Sequence, residues 1–283
     1  MLIRPLPGTD RDNLLKNLRY VQVEVGSIRS RGHTQLDLYN SYLSWVNESV
    51  RMLRHHVSPE DLERLVLTKR CWLLQSMAGA AVGPLAIIVE TEIDDRTTAL
   101  DEARRSLEEQ IERWSRPGWF VVADTTVFCQ ADKLDVLDFG GILVSRDEPV
   151  HLLVPMVIVD ELDSWKRSNK PKVRWRAQYT LAVLDRVLSG SSTSARLQDE
   201  DFSALDTAGI PRGEVSVEIV PDPPGHARLP INDDEIIDRA LAIQSLSGRN
   251  VTLLTYDTGQ NHRARDAGLK VRKLNEPLGE EPA

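Results

Sequence analysis

The stretch Trp119-Phe120-Val121-Val122-Ala123-Asp124-Thr125-Thr126-Val127-Phe128 constrains this chain more than any other. Its five leading residues are apolar and partly β-branched, the pattern of a parallel strand buried on both faces. The strand then runs straight into an acid and two hydroxyls. Sheets of this kind carry their ligands at the carboxyl ends of the strands. Asp124 is therefore expected at the rim of a site, not in a core. A carboxylate placed there costs energy unless something pairs with it. A metal ion would remove that cost. So would a plainer arrangement, in which Asp124 caps the next helix and Thr125 and Thr126 bond locally.

The same design returns near the end of the chain. Val251 to Thr255 is apolar apart from its hydroxyls and leads through Tyr256 to Asp257. Between the two lies a second strand, His151 to Pro155, followed at once by a helix from Met156 to Lys166. Of the acids on that helix, Glu161 lies three residues beyond Ile158 and one before Leu162, at the edge of the buried stripe. Val215 to Val220 alternates as a strand, expected at an edge of the sheet. Asn232 to Ala242 reads as a helix whose first turn is acidic, which suits its dipole. Capping explains one or two of those acids but does not demand so many. Asp234, three before Ile237, shares the inward face. A short helix over Asn261–Ala267 and a strand over Leu269–Leu274 complete the pattern.

Alternating strands and helices predict a parallel sheet, with Asp124, Glu161, Asp234 and Asp257 all at its carboxyl edge. Four converging carboxylates repel one another unless a hard divalent cation shares them. Oxygen ligands without His or Cys suit Mg²⁺ or Mn²⁺. Such ions would activate water and steady an in-line displacement at phosphorus.

The formal net charge of −8 argues against bulk affinity for nucleic acid. One segment reverses the sign. From Trp165 to Arg176 the chain holds Lys166, Arg167, Lys170, Lys172, Arg174 and Arg176, interleaved with Trp165 and Trp175 and free of acids. Cations with aromatics beside a carboxylate site fit a phosphate backbone being steered into place. The alternative is a solvated helix start whose long stems lie along the surface. The helix expected next, Val173–Leu188, carries Ala177, Leu181, Leu184 and Leu188 on one face.

At 283 residues two domains are expected, about 150 residues each. Residues 1–118 read as a mainly helical domain. Leu14, Leu18, Val21, Val25 and Ile28 mark one helix, Thr34–His56 a second, and Ser58-Pro59 opens a third expected to reach Met77. Gly79–Asp95 is ambiguous, and Ala99–Trp114 is helical. Residues 119–275 form the second domain, split by a polar, mobile insertion at about 189–214 and followed by a frayed tail, 276–283. Cys71 and Cys129 make no metal or disulfide pattern. No stretch reads as a signal peptide or a membrane span, so a reduced, cytoplasmic setting is expected.

Four short pieces carry a family resemblance: Val-Val-Ala-Asp124-Thr-Thr, Val-Ile-Val-Asp-Glu161-Leu-Asp, Asn-Asp-Asp234-Glu-Ile-Ile and Leu-Thr-Tyr-Asp257. In order and spacing they resemble the acidic quartet of PIN-domain ribonucleases, over roughly Trp119 to Leu274. The resemblance implies a three-layer α/β/α fold around a parallel sheet and metal-dependent cleavage of RNA. It implies Asp124, Glu161, Asp234 and Asp257 as metal ligands. Thr125 or Thr126 takes the place of the hydroxyl or amide that usually follows the first acid, and Thr255, two residues before Asp257, is a supporting candidate. Asp233 and Asp238 are secondary candidates, with Asp233 an alternative to Asp234. A homodimer is expected on the same ground.

The length differs from that of toxin-type members, which generally have about the second domain alone. Two other readings remain. A haloacid dehalogenase-type phosphohydrolase needs an acid two residues after its nucleophile, where this chain has Thr126. A non-catalytic PIN-like protein would bind RNA or a partner without cutting.

Overall fold

The computed structural model describes residues 3–31, 34–77, 83–190, 194–203, 210–223 and 226–275. Two compact units divide the chain: Met1–Ser115 with Ser245–Gly248, and Arg116–Gln244 with Arg249–Ala283.

The first unit is helical. α1 (Arg11–Arg31), α2 (Gln35–Leu53) and α5 (Gly83–Arg113) pack on one another. Leu14, Leu18, Val21, Val25 and Ile28 recur at helical spacing and are all buried, so α1 turns one stripe inward. Thr34 and Asp37 form a reciprocal capping box at the start of α2. The third helix is shorter than its leucine pattern predicts. α3 (Pro59–Leu65) stops, and α4 (Lys69–Ser76) restarts at Thr68, whose hydroxyl accepts from the Cys71 N–H. That hydroxyl also donates to the buried Glu92 carboxylate, 2.6 Å away. The ambiguous stretch is helix from Gly83 onward, continuous with the expected Ala99–Trp114 helix, and Gly79 to Val82 lie outside the described residues.

The second unit is α/β. Its six strands are β1 (Trp119–Ala123), β2 (Val150–Pro155), β3 (Ser194–Gln198), β4 (Val215–Val220), β5 (Val251–Thr255) and β6 (Lys270–Lys273). They lie in the order β3-β4-β2-β1-β5-β6. All neighbours are parallel except β3, which runs antiparallel to β4 with a register shift between Arg196 and Gln198. β4 is thus an interior strand, not the expected edge. β3 covers it, from within the stretch read as a mobile insertion. Residues 191–193 and 204–209 of that insertion, and the tail 276–283, lie outside the described residues.

The helices are α6 (Thr125–Gln130), α7 (Phe139–Leu143), α8 (Met156–Trp165), α9 (Pro171–Val187), α10 (Asn232–Ser247) and α11 (Thr258–Asp266). β1, β2 and β5 are buried along almost their whole length, as strands covered on both faces must be. Gly118 admits no side chain before β1. Its φ is +114°, and a Cβ would stand 2.3 Å from the Pro149 carbonyl oxygen.

The strand order positions the site. From β1 the chain builds outward through β2 and β4, then returns along α10 to β5 on the other side of β1. The two halves part between β1 and β5, a topological switch point where a crevice opens at the carboxyl ends. Asp124 follows one of those strands and Asp257 the other.

Candidate active site

Asp124 is the N-cap of α6. Its Oδ1 accepts from the Val127 N–H at 3.0 Å and from the Thr126 hydroxyl at 2.7 Å. Its Oδ2 accepts from the Thr255 hydroxyl at 2.6 Å. The plainer capping arrangement is thus present, and it leaves the carboxylate at the crevice between β1 and β5. Thr255, buried at the end of β5, also accepts from the Asp257 N–H at 2.9 Å, so one hydroxyl links both acids of the crevice. Asp257 caps α11 in the same manner, accepting from the Gln260 N–H at 2.6 Å.

Glu161 reaches across from α8. Its Oε2 accepts from the Thr125 hydroxyl, and its Oε1 accepts from the Asn232 amide at 2.7 Å. Asn232 opens α10, so this bond ties the second acid to the helix that carries the third.

Of the two adjacent acids at the start of α10, Asp233 is joined to Asp257 through Gln260, and both pair with Arg263. Asp233 lies in the fields of Asp257 and Glu161, and its own charge acts on Asp124. Asp234 pairs with Arg263 Nε at 3.0 Å. The inward direction at the start of a helix depends on how its first turn is anchored, and Asn232 anchors α10 on Glu161. Asp238, the other secondary candidate, lies elsewhere and pairs with Arg239.

Sequence reasoning missed two residues on α11. Gln260, fully buried, donates from Nε2 to Asp233 Oδ1 at 3.3 Å while its N–H holds Asp257. Arg263 donates to Asp233 Oδ2 at 2.6 Å. The signal for Gln260 was present, since the third position after a cap acid lies on its helix face, and Arg263 lies three further on, beside Gln260.

Burial pushes the Asp124 carboxyl above its ordinary pKa. Bonds from Thr126, Thr255 and the Val127 N–H oppose the shift, and the charge of Asp233 adds to it. Burial also raises Asp233; the Arg263 guanidinium opposes, and Asp257 and Glu161 add. A carboxyl raised on folding binds its proton more tightly folded than unfolded. Stability from these two acids is therefore lost as pH rises from the unfolded value, about 3.9, through the raised folded value. In chelator, the stability gap between Asp124→Asn and wild type should shrink as pH falls through that window. Urea denaturation across pH reads it, and a gap independent of pH contradicts the assignment.

The basic segment is divided. Arg167, Lys170, Lys172 and Arg174 are exposed around the start of α9. Lys166 pairs with Asp163. Arg176 is not a surface cation: it is 8% exposed and donates to the Ala131 carbonyl at the end of α6. It lies next to Ala177 and four residues before Thr180, on the buried stripe of its helix.

Beside the acids an open cleft of about 740 Å³ is lined by Thr126, Gln130, Tyr256, Asp257, Lys273 and Asn275, among others. A second hollow sharing Gln130, Tyr256 and Asn275 carries it on past Ala131 and Asp132 to Ile142. Among the described residues, His226, Glu235 and Asp238 are the one group of His, Cys, Asp or Glu with three ligand atoms within 4.8 Å of one another. Arg239 fills that group with its own charge, pairing with both acids. The quartet Asp124, Glu161, Asp233 and Asp257 is wider, which suits carboxylates that repel one another. All its donors are oxygens, and burial and mutual charge raise two of its carboxyls. That donor set fits a hard divalent cation.

A family model for the PIN domain matches residues 121–275, more than half of the chain, and the chain belongs to that family. PIN domains are generally nucleases, and they typically use divalent metals. Comparison with curated proteins gave no match. Among the described residues, no helix is long and apolar enough to cross a membrane.

Proposed function

We propose that this chain is a metal-dependent ribonuclease that hydrolyses phosphodiester bonds of RNA. The observation that carries the reading is the convergence of Asp124, Glu161, Asp233 and Asp257 at the switch point of the sheet, with burial and like charge raising two of them. These four acids would hold Mg²⁺ or Mn²⁺. When bound, the ion supplies charge neutralisation at the phosphate and a more acidic water.

The chain's own groups do the rest. Asp124 is held from three sides, so its oxygens are fixed before any cation or substrate arrives. Thr125 and Asn232 fix Glu161 at both oxygens, and Gln260 sets Asp257 and Asp233 together. Preorganised carboxylates spend little on reorganisation during reaction. Arg167, Lys170, Lys172 and Arg174 are the cations available to an RNA backbone.

Incubation of a mixed single-stranded RNA pool with Mn²⁺, Mg²⁺ or chelator, using wild type and Asp124→Asn, tests the reading. Metal-dependent cutting lost in the variant supports it. Equal cutting by both proteins overturns it and points to a contaminant; none by either under any ion overturns it and leaves a PIN-fold binding protein.

The Thr255 link gives a finer expectation. Thr255→Val removes the bond to Asp124 and the acceptor for the Asp257 N–H. Loss of such an orienting partner typically costs 10- to 100-fold in metal affinity, so Mn²⁺ affinity should fall by about that factor with the fold intact. Titration calorimetry measures it, and unchanged affinity would separate Thr255 from the metal site.

A further inference from the structure

We propose that Trp175, Tyr179 and Lys133 form a platform on which one unpaired nucleobase of a bound RNA stacks. The inference rests on the ribonuclease reading and adds a binding site to it.

Trp175 is 48% exposed, although it sits one residue from the buried Arg176. A lone exposed aromatic is ordinary on a protein surface. This one is set in place. Its ring stacks on that of Tyr179 with centroids 5.2 Å apart and planes 23° from parallel. Lys133 Nζ lies 5.6 Å from the Trp175 centroid and 5.2 Å from that of Tyr179. The Tyr179 hydroxyl is held in turn, donating to the Asp135 carboxylate at 2.7 Å. A side chain already ordered gives up little entropy when a ligand stacks on it.

The surroundings supply the phosphate side of the chemistry. Lys170, Lys172 and Arg174 are exposed on the same first turns of α9, and Lys133 stands beside the rings. An aromatic pair with Lys133 over it and exposed cations in the preceding turn matches a base with its flanking phosphates. An apolar protein segment would leave those cations without partners.

The platform also lies along the path from the acids. Arg176, the residue after Trp175, donates to the Ala131 carbonyl. Ala131 and Gln130 line the hollow continuous with the cleft at Thr126 and Asp257. α6, six residues and about 9 Å long, covers the part of that path from Asp124 to Ala131. A strand entering the acid site can therefore set a neighbouring base on Trp175. A duplex cannot, because its bases are stacked on one another and its grooves present phosphates and 2′-hydroxyls instead.

The test is binding of a short fluorescein-labelled RNA in chelator, as a single strand and annealed to its complement, by the full chain. Wild type should prefer the single strand. Trp175→Ala should weaken the single strand about 5- to 150-fold, the effect of one lost stack of about 1–3 kcal/mol. The salt slope and the duplex affinity should not change. Trp175→Phe should keep most of the affinity. Lys172→Glu with Arg174→Glu should instead flatten the salt slope.

An effect of Trp175→Ala below twofold, an equal loss on both RNA forms, or no binding of either form overturns the platform. Cutting that survives Trp175→Ala unchanged leaves the nuclease and removes the platform. Trp175-dependent binding without cutting leaves the platform and removes the nuclease.

Discussion

Asp124→Asn is expected to lower divalent-dependent RNA cleavage on the order of 10³-fold while making the metal-free protein more stable. The two signs have one cause. A carboxamide fits the cap: its oxygen still accepts from the Val127 N–H and the Thr126 hydroxyl, and its amide can donate to the Thr255 hydroxyl. What is lost is a charge that burial and Asp233 both disfavour. Removing it relieves the folded state in chelator. The same charge would be a point of attachment for the cation, and losing a principal electrostatic stabiliser costs a reaction about that factor. The variant should also lose the metal-dependent rise in melting temperature. For wild type that rise corresponds to about 2.7 kcal/mol at a hundred times the dissociation constant. Cleavage assays and thermal melts with Mn²⁺ and with chelator read all three. A variant both less active and less stable without metal would mean that Asp124 is chiefly a structural cap.

Arg239→Leu is expected to cost about 3–5 kcal/mol of stability, the scale of breaking a buried ion pair from one side. Glu235 is fully buried. Its partners are His226 Nε2 at 2.7 Å, the Leu229 N–H at 2.9 Å and Arg239 Nε at 3.4 Å. Without the guanidinium a carboxylate remains in the core with one imidazole beside it. The damage centres on the first turn of α10, two residues from Asp233, so the shape of the acid site is at stake as well. Glu235→Gln placed in the Arg239→Leu background should restore part of the loss, since a neutral amide no longer needs a cation. Urea denaturation of the single and double variants forms the cycle. A single-variant loss under 1 kcal/mol would mean that His226 alone compensates the acid.

Much of this architecture was legible in the sequence, for physical reasons. β1, β2 and β5 are apolar runs closed by polar residues, and the strand-helix alternation leaves few topologies open. What escaped was decided by tertiary contacts. Ser194 to Gln198 does alternate, but its two apolar positions, Ala195 and Leu197, lie in a polar stretch too short to stand out, and pairing with β4 makes it a strand. Leucine periodicity runs through Thr68 without pause, and the break there comes from a hydroxyl that caps α4 and bonds Glu92. Spacing pointed to Asp234, three before Ile237, but Asp233 stands at the same distance from the buried Ile236, and only the contacts of Asn232 and Gln260 tell the two apart. Arg176 was readable: its place on the stripe of Ala177 and Thr180 marks it as inward, but its charge drew it into a surface reading.

The two borders of the sheet share a property that bears on solubility. β6 offers Lys270, Arg272 and Lys273 along four residues, and three of its four positions are exposed. β3, at the other border, is five residues long, reversed in direction and offset at Arg196. An open strand edge is a template for another chain's strand, and charge, brevity and bulges each blunt it. Copies of this protein that met border to border would bring like charges together on one side and mismatched ladders on the other. Concentrated solutions should therefore resist fibrous growth, and any pairing of copies must use a surface other than the rims of the sheet.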